Sequence, residues 1–328
     1  MLRFSTVDGT PLKLRAAAEF LAKVNAFYEK RRTLFGLTFL FVVFSVAAMA
    51  IVRDRISLSS ALRQIGPWPI VAGIGLSMLG AIASFFVWRE ILGGLRIEIP
   101  WGLSSSTYFV SQLGKYLPGS VWPVLMQMEV GRSQGASRRT MFVANIYSIV
   151  LNCVIGLSVG CLFLSIYDRD LLNRYWWALL ALPLLVALLH PRAISAVIDR
   201  LLEFFHQPTL GESVRFSAEV RAAAWSIFSW FFLGVSLGVI ASRIDGGGFS
   251  KLALCFGAMA FAWTVGVLFI PAPAGAGIRD VFLAVILSTT MSSSQSLAVI
   301  LASRAAVTIS DLILAGVAGS FRLLSRFA

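Results

Sequence analysis

Residues 101–128 read WGLSSSTYFVSQLGKYLPGSVWPVLMQM, and this stretch decides how the chain must be folded. Two apolar limbs flank a break at Leu117-Pro118-Gly119-Ser120, where proline and glycine interrupt a helix. The limb Trp101 to Gly114 is too short to cross a hydrocarbon core of about 30 Å, which takes about 20 helical residues. Basic residues stand on both flanks, Arg89 and Arg96 before it and Arg132, Arg138 and Arg139 after it. Because cytoplasmic loops collect Lys and Arg, the stretch is expected to enter and leave the membrane on that side.

The rest of the chain supports a membrane setting. Of its 328 residues, 58% are apolar and only 13% charged, about half the charged fraction of a soluble domain. A water-soluble globule is excluded. Uncharged apolar runs at Thr33 to Val52, Pro67 to Trp88, Thr140 to Tyr167, Tyr175 to Pro191, Ala222 to Ser242 and Gln295 to Phe321 predict six crossings. A second interrupted region, Leu252 to Leu287, breaks at Pro271-Ala272-Pro273-Ala274-Gly275-Ala276-Gly277. It ends in the polar stretch Ser288 to Ser296, which is costly at mid-membrane, so this region is expected to be re-entrant from outside. A competing eight-crossing arrangement makes Leu252–Ile270, Val281–Ser303 and Ala305–Phe321 full spans but buries that polar stretch in lipid.

The expected fold class is therefore an all-α integral membrane protein with about six transmembrane helices and two re-entrant helical hairpins in two inverted halves. Residues 1–32 form a cytoplasmic amphipathic segment with seven basic residues, in which Thr10 and Pro11 start a helix with Leu14, Leu21, Val24 and Tyr28 on one face. Residues 33–167 form the first half, with its hairpin at 101–131, and residues 168–328 the second, with its hairpin at 249–291. Three crossings separate corresponding elements, so the halves have opposite orientation, and interrupted helices in matching positions point to a site near the midplane. Both termini are then cytoplasmic. The formal charge of +12 is explained by cytoplasmic loops, which take most of the 28 basic residues, rather than by nucleic acid. The spans and their loops occupy the length, leaving no room for a soluble catalytic domain of about 100 residues or more.

Charges left at membrane depth are the candidate functional groups, since they are expensive there and face a cavity or each other. They are Lys115, Glu129, Arg279, Asp280, Arg304 and Asp311. Lys115 precedes the first break and Arg279 follows the second, so each hairpin sets a cation beside unwound backbone. Helix N-termini after the breaks add N–H groups that favour anions. Together these features suggest a phosphate-bearing headgroup, unless Arg279 pairs with Asp280 or the cations snorkel to an interface. Arg304, Thr308 and Asp311 share one face of the last span, where a structural Arg304–Asp311 tie competes with substrate contact. Asn145, Ser148 and Asn152 form a polar stripe on the third span. Ser104, Ser105, Ser106, Thr107, Ser111 and Gln112 make the first hairpin limb polar. A water-accessible groove and helix-to-helix hydrogen bonding explain both equally.

Other motifs are set aside. Gly156-Leu157-Ser158-Val159-Gly160 and Gly234-Val235-Ser236-Leu237-Gly238 match a nucleophile pattern, but they lie in apolar helices without acid and histidine partners. They are expected to serve close helix packing. Asp168-Arg169-Asp170 reads as a solvated outer turn. Cys153, Cys161 and Cys255 lie in apolar runs, and His190 and His206 are too few for a His-rich metal centre. Neither a cofactor nor a metal is implied, and an enzyme is not expected.

At Gly114-Lys115-Tyr116-Leu117-Pro118-Gly119-Ser120-Val121-Trp122, and again at Pro271 to Asp280 followed by Arg304, the sequence resembles the lysylphosphatidylglycerol synthase transmembrane family, which includes the flippase half of multiple peptide resistance factor proteins. The resemblance runs from about Thr33 to Phe321. It implies a lipid-translocating fold of the bacterial cytoplasmic membrane with two re-entrant hairpins. Lys115, Pro118 and Gly119 match the first motif, and Gly275, Gly277, Arg279, Asp280 and Arg304 match the second. The chain departs from the pattern in carrying Asp280 where Glu is common, and Asn152 and Cys153 where an acidic-basic pair often stands. With Glu129, Asn152 and Asp311 added from the charge and stripe arguments, these residues form the expected binding set for a membrane lipid with a phosphate headgroup. The expected function is a flippase-like translocase for an aminoacyl-phosphatidylglycerol or a polyprenyl-phosphate-linked lipid. The alternative is a non-transporting scaffold for a lipid or a glycosyltransferase. Nucleic acid is not an expected partner; a second copy of the chain or a glycan- or lipid-synthesis enzyme is.

Overall fold

The computed structural model describes residues 55–117, 122–167, 190–204, 214–268 and 277–324, all within one compact unit, Ala48–Ala328. The expected spans at Thr33 to Val52 and 175–189, the N-terminal segment, most of the second break and the Asp168–Asp170 turn lie outside the described residues. Among the described residues, ten α-helices follow in order: α1 (Arg55–Ile65), α2 (Pro67–Gly94), α3 (Trp101–Gln112), α4 (Trp122–Ser133), α5 (Arg138–Tyr167), α6 (Pro191–Phe204), α7 (Phe216–Asp245), α8 (Phe249–Leu268), α9 (Ile278–Leu287) and α10 (Ser293–Leu324). No strand occurs among the described residues. Among the described residues, five helices are long and apolar enough to cross a membrane: α2, α5, α7, the stretch Phe249–Val267 of α8, and α10. The chain is an all-α, multi-pass membrane protein.

Helix ends follow local chemistry. Gly66, at φ 71°, turns the chain out of α1, and Pro67 opens α2 at a position where its missing N–H is no loss. Gly246, at φ 80°, closes α7 by donating its N–H to the Ser242 carbonyl. The polar stretch Ser288 to Ser296 serves as the cap of α10, where the Ser292 N–H donates to Gln295 Oε1 at 2.9 Å.

The main seam joins α2 to α7, running antiparallel. Ser77 and Ser236 hydroxyls meet at 3.1 Å and Ser84 and Ser229 at 2.8 Å. Ser229 and Ser236 also donate to the carbonyls of Gly80 and Gly73. Phe86 stacks on Trp225 at 4.5 Å, and Glu90 pairs with Arg221 at 2.8 Å. Lipid tails offer no hydrophobic drive between helices, so association relies on the close approach that small residues allow and on such hydroxyl bonds. Large apolar side chains such as Leu79, Ile227, Phe231 and Leu312 are exposed instead, as suits a lipid-facing surface.

α8 fits against both α5 and α7 through glycines. A Cβ on Gly156 would lie 2.6 Å from Thr264, one on Gly234 2.5 Å from Phe256, and one on Gly238 2.4 Å from Leu252. The two G-x-S-x-G stretches are thus packing surfaces, as the sequence indicates. Reciprocally, Gly257 faces Leu164. These contacts make α8 antiparallel to α5, with Thr264 opposite a residue near the middle of that helix.

The two interrupted regions differ in the lengths of their limbs. α3 and α4 have 12 residues each, about 18 Å, and run antiparallel, with Gln127 donating to Ser111 Oγ at 2.8 Å. α8 has 20 residues, about 30 Å, whereas α9 has only 10, about 15 Å. Leu283 and Leu287 of α9 share a core with Cys255 of α8 and Leu58 of α1.

The α5–α8 contact gives a test by overpacking. A Cβ on Gly257 would sit 2.9 Å from the Leu164 backbone nitrogen, whereas one on Gly75 would meet nothing within 4 Å. Gly257→Ala should therefore destabilise the protein by about 1 to 3 kcal/mol, and Gly75→Ala should be neutral or stabilising by up to about 1 kcal/mol. Thermal unfolding midpoints in detergent read both.

Candidate functional site

The two interrupted regions bring their charged tips to the same helix. A short 3-10 turn, Leu113–Tyr116, ends the first limb of the first region and carries Lys115 and Tyr116. The Lys115 ammonium lies 2.7 Å from Asp311 Oδ2, and the Tyr116 hydroxyl donates to the same oxygen at 2.5 Å. Asp311 is only 6% exposed, so its carboxylate depends on these two donors. Gly114 permits the tight turn, since a Cβ there would lie 2.8 Å from Trp122 Cβ.

From the other side, α9 opens at Gly277, whose φ of 86° favours glycine. Its N–H donates to Asp280 Oδ2 at 3.1 Å, which folds the carboxylate back over the helix start, where negative charge is favoured. Asp280 Oδ1 accepts from Arg304 Nε at 2.6 Å. Arg304 and Asp311 lie seven residues apart on α10, about 10 Å along its axis and on either side of the midpoint of its 32 residues. The 3-10 turn and the start of α9 therefore both dock on the central two turns of one helix.

Arg279 is the odd member. It is 6% exposed, its Nη2 lies 3.6 Å from Met259 Sδ, and its Nε has no hydrogen-bond partner. Its charge interacts with those of Arg304, Asp280 and Asp311 and with Tyr116. Arg304 Nη2 is likewise buried without a partner. The group holds three cations, Lys115, Arg279 and Arg304, against two carboxylates. It carries one positive charge in excess and has guanidinium donors to spare, which suits a phosphate or carboxylate ligand.

The pairing decides against two alternatives that the sequence leaves open. Arg304 is tied to Asp280 rather than to Asp311, and Asp280 serves Arg304 and the α9 start rather than Arg279. Sequence spacing places Arg304 and Asp311 on one face, but each turns to a different hairpin, because the hairpin tips supply closer partners than the seven-residue interval.

The structure brings together Lys115, Gly277, Arg279, Asp280, Arg304 and Asp311, while Pro118, Gly119 and Gly275 lie outside the described residues. Two expected members are not drawn in. Glu129 is 62% exposed on α4 and pairs with Arg138 at 2.7 Å, with Arg132 at 3.7 Å. The Arg138 bond holds its carboxyl below the usual carboxylate range. Asn152 ties α5 to α7. Its Nδ2 donates to the Ser148 carbonyl, its Oδ1 accepts from Ser226 Oγ at 2.7 Å, and its carbonyl accepts from Trp230 Nε1.

The polar stripe also resolves in favour of packing. Asn145 and Ser148 are buried and donate to carbonyls one turn back on their own helix. In α3, Ser104 accepts from Arg89 Nη1 at 2.7 Å, and the Arg89 guanidinium lies 3.5 Å from the Trp101 ring centre. Tyr116 escapes the sequence reading because a tyrosine at a helix end carries no distinctive spacing signal.

The lysylphosphatidylglycerol synthase transmembrane-region family model matches residues 33–315, and the chain belongs to this family of membrane domains. Among curated proteins none matches the chain.

Removing Lys115 should leave the buried Asp311 carboxylate short of a partner. Lys115→Met is expected to destabilise the protein by about 1 to 3 kcal/mol, and adding Asp311→Asn should restore most of the loss. Arg304→Ala should be rescued by Asp280→Asn and not by Asp311→Asn. Unfolding of the single and double variants in detergent reads the pairing directly.

Proposed function

We propose that the chain moves a phosphate-bearing lipid between the leaflets of a bacterial cytoplasmic membrane, through a groove where two re-entrant hairpins meet. The observation that carries this reading is Arg279, buried and without a carboxylate partner at the convergence of both hairpin tips on the centre of α10. A cation kept at such depth without a fixed counter-ion is an expense that a transient anionic ligand offsets.

Packing levels support the re-entrant reading. α3 starts beside Arg89 near the end of α2, and α4 ends beside Arg138 at the start of α5, so the first region returns to the side it left. The end of α8 lies opposite the middle of α5, and α9 carries the chain back toward the core shared with the start of α8. Hairpins entered from opposite sides fit inverted halves and cytoplasmic termini. The length of α8 alone would also allow a full crossing, but ten residues of α9 cannot provide the return.

In this reading the headgroup phosphate takes its first contacts from Arg279, whose planar donors can hold two oxygens at once. Arg304 Nη2 offers a further N–H. Lys115 and Arg304 can then exchange their carboxylates for phosphate oxygens, which loosens the ties between hairpins and α10. The hydrocarbon tails stay in the bilayer while the headgroup crosses, and no covalent bond is made or broken. The barrier falls because fixed donors replace the water a phosphate loses at mid-membrane.

The test is a proteoliposome assay with labelled phosphatidylglycerol, lysyl-phosphatidylglycerol and a polyprenyl phosphate, with phosphatidylcholine as control. At least one phosphate lipid should redistribute faster than in protein-free vesicles and faster than the control. Arg279→Lys should slow that movement at least several-fold with expression kept, because Lys cannot bind bidentately. Tight binding without movement would favour the scaffold reading, and equal movement of all four lipids would remove the role of the cations.

A further inference from the structure

Asp311 accepts twice on one oxygen. Its Oδ2 takes the Lys115 ammonium at 2.7 Å and the Tyr116 hydroxyl at 2.5 Å, two donors of different kind offered by successive residues of one 3-10 turn. They differ in freedom. Lys115 is 28% exposed and carries its charge on a flexible stem, whereas Tyr116 has a rigid ring and its hydroxyl also bonds Thr308, one turn before Asp311 on α10. Among the described residues, the other groups near Asp311 are committed elsewhere. The Tyr108 hydroxyl is engaged with Ser84, Arg304 is tied to Asp280, and Arg279 reaches Asp311 by charge while its Nη2 is turned to Met259.

A carboxylate with two donors can lose one without being stranded. The charge-assisted hydrogen bond that remains avoids most of the cost of an unmet buried acceptor. Asp280 has the same provision, since its Oδ2 takes the Gly277 N–H while its Oδ1 takes Arg304. Each acid is thus held by a neutral donor built into a turn and by a partly exposed cation. Of the two neutral donors, the tyrosine is the one that a substitution can remove.

We propose that Tyr116 is a positioning residue of the headgroup site: its hydroxyl keeps Asp311, and with it the 3-10 turn, in place on α10 while the Lys115 ammonium turns to a phosphate oxygen of the lipid. One ion pair breaks and another forms by rotation of the Lys115 side chain, with no proton transferred and no helix displaced. Without the hydroxyl, Lys115 is the donor left to the carboxylate and is withheld from the ligand. The inference rests on the phosphate-lipid reading above.

Two measurements on the full chain test it. In detergent without phosphate lipid, the thermal unfolding of Lys115→Met, Tyr116→Phe and the double variant reads whether one donor stands in for the other. The double variant should lose more than the sum of the single losses, and Asp311→Asn should restore most of the difference. Additive losses, or losses that Asp311→Asn does not restore, overturn the inference. The second measurement uses phosphatidylcholine nanodiscs dosed with phosphatidylglycerol or with a polyprenyl phosphate, and reads the dose that gives half of the rise in unfolding temperature. Tyr116→Phe should raise that dose by about two- to tenfold, the span of one hydrogen bond's net contribution. In an Asp311→Asn background, where no charge needs holding, it should have no such effect. A purely structural loss lowers the unfolding temperature at every dose and leaves the half-rise dose unchanged, which overturns the positioning role. An equal effect of Tyr116→Phe with and without Asp311→Asn also overturns it. The lipid whose dose depends on Tyr116 is the class the site takes. If neither lipid raises the unfolding temperature of the wild type, the phosphate-lipid reading fails and the positioning role with it, while the detergent cycle still decides whether Tyr116 stands in for Lys115.

Discussion

A charge inside a bilayer must find a partner within the protein, because no water is there to solvate it. In this chain that requirement gathers two distant pieces of sequence onto one helix. Asp311 is satisfied by Lys115 and Tyr116, nearly two hundred residues earlier, and Arg304 by Asp280. With Lys115 and Asp280 both tied to the centre of α10, the short helices α3 and α9 lie against it. The charged cluster and the placement of these short helices are consequences of the same ion pairs.

Around that centre the scaffold is held by a different kind of contact. The α2–α7 seam uses alternating small residues and serine hydroxyls, and α8 is admitted between α5 and α7 by glycines. Such contacts are local and directional and leave large apolar side chains free to face lipid. Charges are thereby confined to places where they hold elements together, with Arg279 the member of the hairpin cluster lacking a carboxylate. A fold stabilised by packing can tolerate exchange of partners within a charge cluster, which the lipid movement proposed above requires.

Much of this was legible in the residues. Apolar runs longer than about 20 residues mark the spans, and the breaks at Leu117 to Ser120 and Pro271 to Gly277 mark the interruptions. Lys115, Arg279, Asp280, Arg304 and Asp311 stand out because charge is rare in such a composition. Glu129 misled because its position in an interrupted region suggested depth, while α4 in fact carries it to the exposed end beside Arg138. Asn152 misled because a polar stripe on a helix has the same periodicity whether it lines water or bonds a neighbour.

The sequence by itself determined the class of protein, the positions of most helices, the glycine packing surfaces and the set of charges that must be accounted for. These depend on composition and on periods of a few residues, which are local properties of the chain. Only the tertiary structure decided who pairs with whom: Arg304 with Asp280, Asp311 with Lys115 and Tyr116, and Arg279 with no ion-pair partner among the described residues. The physical reason is that an ion pair in a low-dielectric interior is set by distances of a few ångströms between residues far apart in sequence, and spacing along one helix cannot encode those distances.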